Sequence, residues 1–193
     1  MLSVIASNKA MCEGHKQRRE FAYHLKDCFG DKVDVFGRGI RSFEDKWDVL
    51  LPYKYHVAIE NYATDDYITE KLQDPFLAWC YPIYYGAPNV DKYYNHDAYT
   101  LIDIYNPDQS IKIIEELLEC DPYDQKVQFI KEAREKVLNE ENFFIKLYQY
   151  TKMIPSGGVP AKISIHTEVW YSWKFRLKKQ FPALYRAYKT IRS

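Results

Sequence analysis

Apolar and polar positions alternate in two rhythms along this chain. Short apolar or alternating runs occur at Leu2–Ser7 (LSVIAS), 32–37 (KVDVFG), Tyr55–Glu60 (YHVAIE), Pro82–Tyr85 (PIYY) and Tyr99–Ile104 (YTLIDI), and these predict five strands. Between the first two lies a polar, basic stretch in which Phe21, Leu25 and Phe29 recur at helical spacing and Gly30 closes the helix. Gly37 and Gly39 predict a tight turn after the second strand. Thr69 is placed to cap a helix over Glu70–Trp79, and further helices are predicted over Ser110–Glu119 and Tyr123–Thr151. Strands alternating with helices of this length predict an α/β fold, a Rossmann-like parallel sheet with helices on both faces.

That pattern divides the chain into a Rossmann-like domain over 1–153, a linker over 154–165 and a tail over 166–193. Ile154–Ala161 (IPSGGVPA) cannot continue a helix. In the tail, Trp170, Trp173, Leu177, Phe181, Leu184, Tyr188 and Ile191 recur every three or four residues among lysines and arginines, with Pro182 set to kink or split the helix. Charge sharpens the division. The chain holds 27 basic and 27 acidic residues, yet 165–193 carries seven basic residues against the single acid Glu168, so the tail is near +6 and the body near −6. A basic, aromatic amphipathic segment of this kind is expected to lie on a membrane surface, at the cytoplasmic face, making the protein cytoplasmic and peripherally membrane-associated.

Composition narrows the function classes. At 47% apolar and 28% charged residues the chain is globular, and no apolar run approaches the roughly 18 residues that cross a bilayer. The N-terminal residues lack the basic flank of a secretory signal. Cys12, Cys28, Cys80 and Cys120 form no CxxC pair and are expected to be reduced packing residues. The five histidines are scattered, no Walker loop or nucleophile elbow is present, and no Asp-x-Asp follows a strand. A bound diphosphate would therefore be neutralised by arginine, lysine and backbone amides, with no metal. No nucleic-acid partner is expected.

The chemistry gathers in residues 58–72. Glu60 and Asn61 end an otherwise apolar strand, at the carboxyl edge where open α/β sheets bind ligands. Tyr67 precedes the predicted helix, and Thr69, Glu70 and Lys71 open it. A lysine in a helix's first turn opposes the helix dipole, a local misfit that points to anion binding. Glu70 is suited to accept two ribose hydroxyls. The alternatives are a capping Glu70 with a solvated Lys71, a solvated face for Lys16, Arg18 and Arg19, and ordinary turn roles for Gly86 and Pro88.

The segments YKYHVAIEN, DYITEKL and PIYYGAPN, in that order, strongly resemble the donor-binding half of the α1,3-fucosyltransferases, glycosyltransferase family 10. Ser7–Asn8 resembles an early Ser-Asn pair of that family, Arg18 with Phe21 and Leu25 its Arg-x-x-aromatic helix, and VDVFGRG a further motif in which Gly39 replaces a cysteine. The resemblance covers roughly residues 3–150. It implies the C-terminal half of a two-domain (GT-B) enzyme that inverts the anomeric centre and needs no metal or other cofactor. The donor substrate is then GDP-fucose, and the acceptor a glycan. Arg18 and Lys71 are implied to hold the diphosphate and Glu70 the ribose hydroxyls. Asn61 and Tyr67 contact diphosphate or fucose, and Ser7 and Asn8 join the donor-binding set.

Two departures from the family pattern stand out. Its general base is a glutamate of the N-terminal, acceptor-binding domain, and no residue here takes that role, so the chain alone is expected to transfer little or no fucose. Residues 74–80 read DPFLAWC where the family usually has Ala-x-x-x-Gly, and Trp79 is expected to fill the core. A transferase for a different nucleotide sugar, and a truncated nucleotide-binding remnant without transfer activity, remain alternative readings.

Overall fold

A computed structural model describes residues 1–6 and 13–154; Ser7, Asn8, the linker from Pro155 and the basic tail lie outside the described residues. The chain splits into two compact units, Met1–Thr151 and Lys152–Ser193. The first unit contains the strands β1 (Leu2–Ile5), β2 (Val33–Phe36), β3 (Tyr55–Ile59), β4 (Tyr81–Tyr85) and β5 (Thr100–Leu101). All pair in parallel, in the order β2-β1-β3-β4-β5. The helices are α1 (Glu13–Phe29), α2 (Glu70–Leu77), α3 (Pro107–Cys120), α4 (Tyr123–Lys136) and α5 (Phe143–Met153). The α/β class, the parallel sheet and five strands in the expected places agree with the sequence pattern.

Strand order decides where a ligand can bind. The chain runs from β1 outward to β2, crosses back over β1 to β3, and then continues to β4 and β5. The connections therefore diverge between β1 and β3, leaving a crevice at the carboxyl ends of those two strands. The crossing from β2 to β3 holds no α-helix, only a 3₁₀ turn at Lys46–Val49 capped by Asp45: Trp47 N–H donates to Asp45 Oδ1 at 2.9 Å.

Burial explains the strands. All five residues of β3 are buried, as befits a central strand of a parallel sheet covered on both faces. Its one polar member, His56, is matched in register by Ser3 of β1, whose Oγ lies 2.8 Å from His56 Nδ1. The core adds Phe21, Ala22 and Leu25 from α1, Leu72 and Phe76 from α2, Ile114 from α3 and Ile130 from α4.

Three expectations need correction. The helix predicted over Tyr123–Thr151 is two helices, separated by a π-helical turn at Val137–Glu141. Asn142 takes extended dihedrals and its Oδ1 accepts from Phe144 N–H at 2.9 Å, so the side chain starts a new helix instead of continuing the old one. Trp79 does not fill the core. The residue is 37% exposed and left-handed (φ 61°), at the position glycine usually takes in a Schellman ending: Cys80 N–H donates to Pro75 O at 2.8 Å and Trp79 N–H to Phe76 O at 3.1 Å. Arg134 sits over its ring at 5.3 Å. Of the described cysteines, only Cys80 packs inside, its thiol reaching Leu50 O and Tyr53 O; Cys28 and Cys120 are exposed. Among the described residues no helix is long and apolar enough to cross a membrane.

Candidate functional site

Glu60 ends an apolar strand because it anchors the helix that follows. Its N–H extends the sheet by one bond, to Tyr85 O at 2.8 Å. Its carboxylate, fully buried, accepts from Thr69 N–H and Thr69 Oγ1, both at 2.8 Å, and pairs with Lys71 Nζ at 3.3 Å. Thr69 caps α2 in turn, accepting from Lys71 N–H at 3.3 Å. Lys71 in the first turn thus has a structural reason the local sequence does not show. Its charge is needed to compensate a carboxylate taken wholly out of water. It also reaches Glu70 Oε1 at 3.2 Å.

The loop before α2 is held from the side. Asp66 adopts a left-handed conformation (φ 62°), its N–H donates to Asn89 Oδ1 at 3.0 Å, and its carboxylate accepts from Asn89 Nδ2 and Tyr93 Oη, both at 2.7 Å. Those two donors, Tyr93 first, hold its pKa below the usual aspartate value. Tyr67, on the same loop, packs edge-on against Tyr62 at 6.4 Å.

Two glycines permit close approaches at this edge. A Cβ on Gly14, at the start of α1, would meet Asn61 O at 2.3 Å, so only glycine lets α1 come so near the end of β3. Gly86 is not an ordinary turn residue. A Cβ there would meet Tyr84 Oη at 2.1 Å and Glu60 Cγ at 2.7 Å, while that hydroxyl accepts from Ala87 N–H at 3.0 Å.

The close approach of α1 brings Arg18 to Asn61, Nη1 donating to Oδ1 at 3.1 Å. A cavity of about 130 Å³ opens at the β1/β3 divergence, and Arg18, Lys46, Glu70 and Lys71 stand around a floor formed by Ile5 and the strand His56–Ile59. Of the residues singled out from sequence, Arg18, Glu70 and Lys71 therefore converge on one crevice and Asn61 joins them through Arg18. Tyr67 does not line it, and Ser7 and Asn8 lie outside the described residues. Burial tends to raise the Glu70 pKa, but the Lys71 charge and hydrogen bond, with a contribution from Lys46, bring it below the ordinary glutamate value. Glu70 is thus an anion, ready to accept hydroxyl hydrogen bonds beside three cations.

Sequence reasoning missed Lys46 and His56. Lys46 donates to Asp74 Oδ2 at 2.5 Å and belongs to the 3₁₀ turn, with no periodicity to mark it. Burial, and then the nearby Lys46 charge, push His56 down to about 3, so the imidazole on the crevice floor is neutral. Among the described residues no group of three or more His, Cys, Asp or Glu side chains forms a metal-binding cluster.

Comparison with known proteins identifies the architecture. Residues 2–145 match the model of "Glycosyltransferase family 10 (fucosyltransferase) C-term". The chain belongs to glycosyltransferase family 10. Among curated relatives it is 49% identical over 47 residues to a GDP-fucose protein O-fucosyltransferase 3 of Danio rerio, a match covering 24% of this chain and 10% of that one. It is 34% identical over 92 residues to a 4-galactosyl-N-acetylglucosaminide 3-alpha-L-fucosyltransferase of Gorilla gorilla gorilla, covering 45% and 26%. An alpha-(1,3)-fucosyltransferase of Helicobacter pylori matches at 33% over 77 residues, covering 39% and 16%. Each match spans about a quarter or less of the curated relative. A crystal structure of an α1,3-fucosyltransferase with GDP superposes with a TM-score of 0.56 at 25% identity, over 69% of this chain and 38% of that one. A second, with GDP-fucose, has the same fold, at a TM-score of 0.60 and 23% identity over 87% and 49%. This family 10 chain corresponds to less than half of either solved enzyme.

Proposed function

We propose that this family 10 chain is the GDP-fucose-binding half of an inverting fucosyltransferase of the α1,3 type, with a glycan acceptor. The observation that carries the reading is the convergence of Arg18, Glu70 and Lys71, distant in sequence, on the crevice where the sheet's connections diverge. Arg18 and Lys71 are the counter-charges for the diphosphate, Glu70 accepts from the ribose hydroxyls, and Asn61, fixed by Arg18, reaches the diphosphate or the sugar. As the bond to fucose breaks, negative charge grows on the β-phosphate, where these cations and the positive end of α2 stabilise it. The helix end contributes mainly its dipole, because Glu60 and Thr69 already take two of its amide donors. Charge neutralisation by side chains makes the reaction independent of a metal, and binding of GDP should survive excess EDTA.

The acceptor's proton goes to a base outside this unit. Glu60 is buried and engaged with Thr69 and Lys71, and Asp66 is engaged with Asn89 and Tyr93, so neither is poised to receive it. Base catalysis contributes typically 10²–10⁴-fold, so the 193-residue chain alone should bind donor and transfer little. The basic segment 166–193 would bring the enzyme to an anionic membrane surface, a role checked by vesicle co-sedimentation with and without it.

The test is calorimetric titration of the chain with GDP, GDP-fucose, GDP-mannose and UDP-sugars. Guanosine nucleotides should bind, with GDP-fucose favoured over GDP-mannose. Glu70→Ala should weaken GDP by roughly tenfold or more, the worth of a charge-assisted hydrogen-bond pair. Lys71→Ala is the poorer variant, since it also strips the partner from buried Glu60. Unchanged GDP affinity in both Glu70→Ala and Arg18→Ala would remove the site.

A further inference from the structure

Toward the far end of α1, His24 and Cys28 share one face of the helix, four residues apart. His24 is half-buried, Cys28 is exposed, and Cys28 Sγ lies 3.8 Å from His24 Nε2. Cys28 follows Arg18 by ten residues, about 15 Å along the helix axis, so the pair takes no part in the donor crevice. A sulfur and an imidazole nitrogen at this separation are set for a metal ion. With Zn–S of about 2.3 Å and Zn–N of about 2.0–2.1 Å at a tetrahedral angle, the two ligand atoms stand about 3.5 Å apart. Two ligands four residues apart on one helix face is also how H-E-x-x-H helices hold zinc. The surroundings favour a cation. Glu20, Asp27 and Asp31 each lie three or four residues from one member of the pair. Glu115 and Glu119 of α3 line, with Cys28 and Lys32, a cavity of about 390 Å³ beside the thiol. Lys26 is committed to the carbonyls of Gly30 and Val33.

Among the described residues no third His, Cys, Asp or Glu side chain completes a cluster with these two. One chain thus supplies two ligands, while a closed zinc site takes four. We propose that His24 and Cys28 are half of a shared metal site, and that a second copy of this chain supplies the other His–Cys pair around one zinc ion. A two-fold axis through the ion gives both copies the same contact, the commonest symmetry of a homodimer. The ion takes Nε2 of each imidazole and the sulfur of each thiolate, and the two thiol protons pass to solvent as the Zn–S bonds form. Thiolate with imidazole selects a soft divalent cation, whereas magnesium and calcium prefer oxygen ligands alone. The metal binds the paired state, so its concentration sets the fraction of dimer. The site joins chains and is separate from donor chemistry.

The experiment is a zinc titration of the 193-residue chain in a non-chelating reductant, followed by sedimentation velocity and metal analysis. The mass should double at one zinc for two chains and return to that of the monomer in excess EDTA. Cobalt in place of zinc should give the strong visible absorption of a tetrahedral ion, together with thiolate-to-metal charge transfer. Cys28→Ser and His24→Ala should each abolish the zinc-dependent dimer, while Cys12→Ser and Cys120→Ser keep it. His24→Cys, which restores a zinc ligand, should recover the dimer that His24→Ala loses, a gain that misfolding cannot produce. GDP binding should be the same in all of these variants, so the outcome is independent of the donor reading. Absence of zinc binding, or one zinc per chain with no change in mass, overturns the proposal. So does a dimer that persists in EDTA, or a zinc-dependent dimer that survives both Cys28→Ser and His24→Ala.

Discussion

Helices α2 and α5 use apolar residues in opposite ways. The first has only eight residues and a proline inside it, a poor helix by intrinsic preference, yet Leu72, Pro75 and Phe76 are buried and its first turn is tied to Glu60. The second has eleven residues and buries none of them, with Phe143, Phe144, Tyr150 and Met153 each more than 60% exposed. Local propensity therefore does not say which helix is fixed. Anchoring by distant partners does, and it is concentrated at the edge of the sheet that carries the crevice.

The contrast is broken most directly by Phe76→Ala. Phe76 is fully buried against Tyr94, at a ring distance of 5.0 Å, so truncation should cost about 3–5 kcal/mol in urea unfolding. A loss below about 1 kcal/mol would mean that α2 is no better anchored than α5.

Glu60→Ala comes next. Removing the carboxylate leaves Lys71, whose side chain is 22% exposed, without its buried partner and Thr69 without its acceptor. Breaking a buried pair costs about 3–5 kcal/mol, and the partial exposure of Lys71 places the expected loss near the lower figure, about 3 kcal/mol. Glu60→Gln, which retains an acceptor for Thr69, should recover part of it. Equal stability of wild type and Glu60→Ala would show that the cap on α2 forms without the strand.

Acidity probes the crevice floor. The folded-state pKa of His56 is depressed from 6.5 to about 3, so the unfolded chain takes up a proton that the folded chain refuses. That contribution to stability is complete above about pH 6.5 and is lost as pH falls toward 3, amounting to about 2 kcal/mol at pH 5. Carboxylates titrate mostly below this window. The difference in unfolding free energy between pH 7 and pH 5 should therefore shrink in His56→Gln, and an unchanged difference would show that the imidazole meets water.

How much of this was legible in the sequence depends on range. Apolar runs and helical spacing are local, and they placed all five strands, the Thr69 cap and the edge where Arg18, Glu70 and Lys71 meet. The charged end of β3 was also a visible signal, a carboxylate where an apolar strand should stop cleanly. Its meaning was not visible, because Glu60 is explained by partners nine and eleven residues on, and by Gly86 across the sheet. Lys46 gave no local sign at all. It reaches the crevice only because the chain crosses from β2 to β3 without a helix, a consequence of strand order. Gly14 reads as one glycine in a polar stretch until the carbonyl of Asn61 is set beside it. The break at Asn142 and the left-handed Trp79 likewise depend on which hydrogen bonds win, and spacing does not report that.

The smallest effect is expected on α5, and it makes the comparison a matched one. Phe144 is 75% exposed where Phe76 is fully buried, so the same substitution to alanine deletes the same atoms in two environments. A side chain already in water gives up little transfer free energy, and Phe144→Ala should fall within about 0.5 kcal/mol of wild type. Its ring does contact Phe143 edge-on at 5.6 Å, but both rings are open to solvent, so that pair adds little. Measured by urea unfolding of the 193-residue chain beside Phe76→Ala, the two phenylalanines should differ by at least about 2.5 kcal/mol, the gap between the two ranges. A cost for Phe144→Ala above about 1.5 kcal/mol would show that the ring is covered in solution. The difference between the helices would then lie in what each is anchored to, and no longer in whether it is anchored.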